Sequence, residues 1–217
     1  MRRYNFYERT AVIESLVMLV SALFVRRDSV YKTLPAVDAW DKDRDARNWP
    51  GGTPVVAHPP CAQWGTLKHM ARVNLEEKSL APLSVDWIRR YGGVLEHPVR
   101  SALWPAVGLP ESGAGKDRHG GWTLVVSQRW WGHKAEKQTR LYIVGCEPRD
   151  VPSIPYEIGR AHYICAGGAA ATAEEAKRRR QCAPEWRRPS ISRAEREHTP
   201  PAFAEWLVEL ARRCHVG

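Results

Sequence analysis

The chain is 217 residues long, with 43% hydrophobic and 26% charged residues. That is the size and balance of one folded domain, and it excludes wholesale disorder, a collagen-like repeat and a small disulfide scaffold. Its 33 Lys and Arg against 24 Asp and Glu leave a net charge of +9, which favours a polyanionic partner without identifying one.

The longest apolar stretch, Ala11 to Phe24, is broken by Glu14, Ser15 and Ser21. It falls short of the roughly 20 residues that span a bilayer, so no membrane contact is expected and the chain reads as cytoplasmic. Within it, Val12, Ile13, Leu16, Val17, Leu19 and Val20 recur at helical spacing and predict a helix from Thr10 to Ala22. Short apolar runs ending in polar loops follow: Leu23-Phe24-Val25 before Arg26, Ala36 to Trp40 before Asp41, and Pro54 to Ala57 before His58-Pro59-Pro60. Each predicts a strand. Leu80, Leu83, Trp87 and Ile88 predict a helix between Leu75 and Tyr91, with Pro82 in its first turn and Gly92-Gly93 ending it. Val94-Leu95 begins a further strand that stops at Glu96-His97-Pro98.

Strands alternating with helical segments indicate an α/β sheet whose chemistry sits at the strand ends. Trp122–Ser127 and Arg140–Val144 lie close together with no obvious helix between them, which predicts an antiparallel hairpin at the end of a mostly parallel sheet. From Lys177 to His198, eight Lys or Arg stand against three Glu, with Pro184 and Pro189, and read as an extended basic arm. Thr199-Pro200-Pro201 opens a last helix, 202–213. The expected division is an N-terminal helix over 1–21, a catalytic core over 22–150, the arm over 151–198, and a C-terminal helix over 199–217 returning to the core. Ten tryptophans, several beside arginines as in Arg129-Trp130-Trp131, suit core packing first and base stacking second.

The five cysteines, Cys61, Cys146, Cys165, Cys182 and Cys214, show no Cys-x-x-Cys spacing, which speaks for reduced thiols and against a zinc ribbon. Cys61 follows a strand and two prolines that stiffen its loop, at the sheet edge where α/β proteins bind substrates. That placement suits a nucleophile. A half-buried structural thiol and a metal site with His58 and His69 are the alternatives. Glu96 ends a later strand, and in a parallel sheet the two strand ends converge. A thiolate and a carboxyl group there suit covalent attack on carbon 6 of a pyrimidine, with the carboxyl holding ring nitrogen 3 and carbon 5 left to attack an electrophile.

Pro59-Pro60-Cys61, Glu96-His97-Pro98 and Lys137 to Gly145, in this order, resemble the catalytic motifs of DNA cytosine 5-methyltransferases. The acidic Asp38 to Ala46 resembles the strand end that contacts the cofactor in that family, and Arg196 to Ala204 resembles the helix start of its compact, phage-type members. The resemblance implies a Rossmann-like fold with helices on both faces, and a DNA-modifying transferase acting on DNA or a pyrimidine nucleotide. It makes Cys61 the nucleophile, Glu96 the anchor of the base and Arg140 a third catalytic group. Pro60, His97 and Lys137 would line the substrate, with Arg178, Arg179, Arg187 and Arg188 on the DNA backbone. S-adenosylmethionine is the implied cofactor, bordered by Ser29, Asp38 and Asp41, and no metal is expected. The family's Phe-x-Gly-x-Gly loop is replaced here by a glycine-free Phe24 to Tyr31, which keeps two alternatives open: another donor on the same scaffold, and a non-catalytic DNA-binding protein.

Overall fold

The computed structural model of the protein describes residues 18–66, 68–165, 174, 181 and 188–216. Six strands, β1 (Val20–Leu23), β2 (Val37–Trp40), β3 (Val55–Ala57), β4 (Gly93–Pro98), β5 (Trp122–Ser127) and β6 (Gln138–Val144), form one mixed sheet in the order β2-β1-β3-β4-β6-β5. The first four are mutually parallel, and β6 runs antiparallel to both β4 and β5. The α/β class, the mostly parallel sheet and the terminal antiparallel pair therefore agree with the pattern in the sequence. The order of the strands reverses between β1 and β3, the kind of place where the carboxyl ends of parallel strands leave a crevice.

A long helix covers each face. Helix α1 (Leu75–Tyr91) buries Ala81, Val85 and Ile88 with Leu23, Val55, Ala57, Leu95 and Tyr142 of the strands. After the short α2 (Leu103–Ala106) and α3 (Arg193–Glu197), helix α4 (Pro201–Arg212) buries Phe203, Leu207 and Leu210 with Val20, Ala22, Val56, Val94 and Leu141 on the opposite face. Alternate strand residues thus feed two separate cores, as the period of two demands. Each large apolar side chain so buried contributes roughly 1.5–3 kcal/mol.

Helix α1 starts and stops where the sequence indicates. The Asn74 side chain caps it by accepting from the Glu77 amide, Glu76 and Glu77 occupy its positive end, and Arg89 and Arg90 its negative end. Gly92 follows at φ +77°, and Gly93 at φ +123° begins β4 where a Cβ would lie 2.1 Å from the Val55 carbonyl oxygen. Only glycine fits that contact.

Four expectations need correction. Val20 to Ala22, assigned to the end of an N-terminal helix, are strand β1, and the earlier part of that helix lies outside the described residues. A central strand packed on both faces is buried at every position, Ser21 included, so burial gives its residues no period of two that separates it from a helix. The strand expected at Leu23-Phe24-Val25 accordingly ends at Leu23, and Phe24 turns at φ 59°. Pro82 lies in the middle of α1 rather than its first turn. It cannot donate to the Lys78 carbonyl four residues back, and the Trp64 indole Nε1–H donates there instead at 3.0 Å. The loops from β1 to β2 and from β2 to β3 carry the 3-10 turns Val30–Thr33 and Ala46–Asn48. Of the basic arm, residues 188–198 are described, and they are not extended throughout: Ser192 and Glu195 form a reciprocal capping box that starts α3.

Candidate active site

Strands β3 and β4 are adjacent and parallel, with Ala57 opposite Leu95. Their carboxyl ends therefore deliver His58 and Glu96 side by side, and the loop after β3 carries Cys61. That loop is a tight turn closed by the Trp64 and Gly65 amides on the Cys61 carbonyl, at 3.0 and 2.8 Å. Trp64 anchors the turn to the rest of the fold: its indole reaches α1, and its carbonyl accepts from the Ala102 amide at 2.8 Å and the Ser101 hydroxyl at 3.3 Å. Cys61 itself is exposed. Desolvation first, then the Glu96 carboxylate, push its thiol up, while the Lys137 ammonium pulls it down.

Glu96 is almost enclosed, with 12% of its side chain exposed. Oε1 accepts from the Thr139 hydroxyl at 2.8 Å and the Gln128 amide at 3.0 Å, and Oε2 lies 3.2 Å from His58 Nδ1. Burial acts to raise the Glu96 carboxyl, but the His58 hydrogen bond, the Lys137 charge and the Thr139 hydroxyl together hold it down at about 2. Glu96 is a carboxylate throughout the physiological range.

A carboxylate only accepts, so His58 Nδ1 carries the hydrogen, and its Nε2 lies within hydrogen-bond distance of the Tyr31 hydroxyl, 2.9 Å away. Tyr31 is buried, and its phenol is raised by burial and by Glu96. The chain Tyr31–His58–Glu96 crosses from the 3-10 turn after β1 to the ends of β3 and β4, at the crevice where the strand order reverses. Helix α3 approaches the same place: Arg193 and Glu197 lie within electrostatic reach of Cys61, and Glu197 also pairs with Arg26 at 3.4 Å.

The site joins some expected residues and separates others. Cys61, Glu96 and Lys137 act on one another. Arg140 does not belong with them. In the β4–β6 ladder it stands opposite His97, one residue off Glu96, so the pleat turns both to the α1 face while Glu96 and Thr139 face α4. There Arg140 pairs with Glu111 at 2.6 Å and lies over the Trp104 ring, its guanidinium carbon 5.1 Å from the centroid. His97, expected at the substrate, is fully buried edge-on against Trp104, beneath Pro60. Burial pushes its imidazole down to about 4, against Glu96 and the Pro60 carbonyl, and leaves it neutral. Pro60 touches the site through the backbone that carries Cys61.

The residues expected at a cofactor are engaged locally. Asp38 accepts from the Trp40 indole at 2.7 Å and from Arg44 at 2.5 Å. Asp41 accepts from Lys32 at 2.5 Å and from the Asp43 and Arg44 amides, and Lys32 is first among the causes that hold it at about 2. The Ser29 side chain caps the 3-10 turn that bears Tyr31. Arg188 donates through Nη1 to Glu136 and to the Ala161 carbonyl, both at 3.1 Å. Arg178, Arg179 and Arg187 lie outside the described residues. Among the described residues no group of three or more His, Cys, Asp and Glu is placed to hold a metal, so His58, Cys61 and His69 do not form one.

Sequence reasoning missed Tyr31, Thr139, Gln128 and the role of His58. A signal for His58 was present: a histidine directly after an apolar strand is placed like the ends of the other parallel strands. Two surface clefts, one between Met18, Tyr91 and His215 and one along Arg72 to Glu77, include neither Cys61 nor Glu96. No helix among the described residues is long and apolar enough to cross a membrane. Compared with protein-family models, curated proteins and solved structures, the chain matches none.

Proposed function

We propose that this protein is a Rossmann-like enzyme that modifies pyrimidines in DNA or in nucleotides, with Cys61 as nucleophile and Glu96 as anchor of the base. The observation that carries the reading is the convergence of an exposed thiol and a nearly enclosed carboxylate at the ends of two adjacent parallel strands, with Lys137 acting on both. Cys61 loses its proton to solvent and its sulfur bonds to carbon 6, while the carbon 5–carbon 6 π pair moves toward the exocyclic group on carbon 4. Carbon 5 then bonds to an electrophilic one-carbon donor, whose leaving group departs with its bonding pair. Loss of the carbon 5 proton restores the double bond as the sulfur–carbon bond breaks. Lys137 offers the developing negative charge a fixed cation.

The donor side departs from the methyltransferase resemblance. Asp38, Asp41 and Ser29 are hydrogen-bonded within their own loops, and Tyr31, buried after β1, reaches His58. Together with the glycine-free Phe24 to Tyr31 loop, these local bonds favour an electrophilic donor other than S-adenosylmethionine.

The test is covalent trapping. Single-stranded DNA carrying one 5-fluoropyrimidine is incubated with the protein and a small-molecule filtrate of expressing cells, then denatured and weighed by mass spectrometry. Fluorine blocks the last proton loss, so an adduct on the Cys61 peptide is expected with wild type and none with Cys61→Ser. An adduct that survives in Cys61→Ser would reject the mechanism.

A further inference from the structure

We infer that Glu96 selects a pyrimidine bearing a hydrogen on ring nitrogen 3, a uracil-type base, over cytosine. The inference rests on the covalent reading of Cys61 and names the substrate class of that site.

A carboxylate offers about four acceptor positions. Thr139 and Gln128 both donate to Oε1, and His58 Nδ1–H donates to Oε2, which leaves about one position, on Oε2. Each of these three partners points a hydrogen at Glu96, and the Thr139 hydroxyl donates to it while accepting from Gln128 at 3.0 Å. A proton placed on Glu96 would turn one of these donors against another donor. The network therefore presents an acceptor alone to the ring.

Uracil meets such an acceptor with its N3–H and flanks it with two carbonyl oxygens, which suit the neighbouring Lys137 ammonium. Cytosine also offers the carboxylate an N–H, from its exocyclic amine. It then sets the bare nitrogen 3 lone pair beside an anionic oxygen. Addition of sulfur at carbon 6 makes that nitrogen strongly basic, so cytosine chemistry needs a proton delivered there as the charge develops, and the fixed carboxylate holds none to give. Uracil keeps its nitrogen 3 hydrogen throughout and sends the charge to oxygen 4, where a cation stabilises it.

Exchange of the carbon 5 hydrogen tests this without any donor. Sulfur adds to carbon 6, a deuteron from D2O bonds to carbon 5, the original hydrogen leaves as a proton, and sulfur departs. The rate is followed by mass spectrometry on dUMP and dCMP and on single-stranded oligonucleotides holding one deoxyuridine or one deoxycytidine. Wild type should exchange the uracil position faster by about tenfold or more, the discrimination that one hydrogen bond to a charged group supports. Glu96→Gln, whose amide can donate to nitrogen 3, should narrow or reverse that ratio. Equal or faster exchange of cytosine by wild type overturns the inference and keeps Cys61 as nucleophile. No exchange on any of the four substrates, or exchange unchanged in Cys61→Ser, overturns the covalent reading itself.

Discussion

Glu96 and His97 are consecutive residues of one strand, and Thr139 and Arg140 are consecutive in the strand beside it, yet the two pairs live in different chemistry. On the α4 face, Glu96 receives three hydrogen bonds, from Thr139, Gln128 and His58. On the α1 face, the His97 ring meets only the Pro60 backbone, without a well-formed hydrogen bond, and Arg140 Nε and Nη1 have no partner among the described residues. A buried charge ringed by donors is held in one protonation state and one orientation, which suits a group that must meet a substrate. Buried groups without partners lower stability, and here they support Pro60 and Trp104 without facing Cys61. The face, set by the pleat, separates Glu96 from its sequence neighbour.

The sharpest way to break the comparison is kinetic. Glu96→Ala should slow carbon 5 exchange by about a thousandfold, the upper range for losing a preorganised polar group that positions the reaction. Arg140→Met, on the other face, should change it by less than about threefold. A large loss in Arg140→Met would return that residue to the site.

Acid titration of stability separates the same two faces. Glu96 is held at about 2 against an ordinary 4.5. Its contribution, about 3 kcal/mol, is complete above pH 4.5 and is lost as pH falls toward 2. The His97 imidazole is depressed from 6.5 to about 4. The unfolded chain therefore takes up a proton first, and a further contribution of about 3 kcal/mol is lost between pH 6.5 and 4. Denaturant melts across this range should show His97→Leu flattening the upper interval and Glu96→Gln the lower one. If His97→Leu leaves the slope between pH 6.5 and 4 unchanged, the imidazole is not held neutral.

A smaller effect comes from the tie between the faces. Trp64 lies in the α1-side core, yet its backbone closes the Cys61 turn, and its indole satisfies the carbonyl that Pro82 leaves free. Trp64→Phe should cost about 1–3 kcal/mol in denaturant melts, the penalty for a carbonyl left unsatisfied. A compensating Pro82→Ala in the same chain should recover most of it by restoring the amide donor. No recovery would mean that the indole acts through packing.

Much of this architecture was legible in the sequence because the signals were local. Gly92 marks the end of α1, Thr199-Pro200-Pro201 marks the start of α4, and the polar residues after the apolar runs place Cys61 beyond β3 and Glu96 just past the end of the β3–β4 ladder, although β4 itself runs on to Pro98. What failed depended on register. Alternation shows that Thr139 and Arg140 face opposite ways, but which one shares a face with Glu96 follows only from the pairing of Glu96 with Leu141. The Tyr31–His58 contact likewise needs β1 and β3 to be neighbours, a fact of topology. Strand β1 was hidden by its own burial, since all four of its residues, Ser21 included, are enclosed and mark no exposed face.

The central claim is that Cys61 attacks a pyrimidine ring, and nucleoside mass spectrometry tests it in the cell, where the natural donor is present whatever its chemistry. DNA and the nucleotide pool from cells expressing wild type are digested and compared with those from cells expressing Cys61→Ser at equal protein level. The account predicts a mass increase on a pyrimidine nucleoside with wild type that disappears in Cys61→Ser. A shift confined to purines, or a pyrimidine shift that persists in Cys61→Ser, would contradict it.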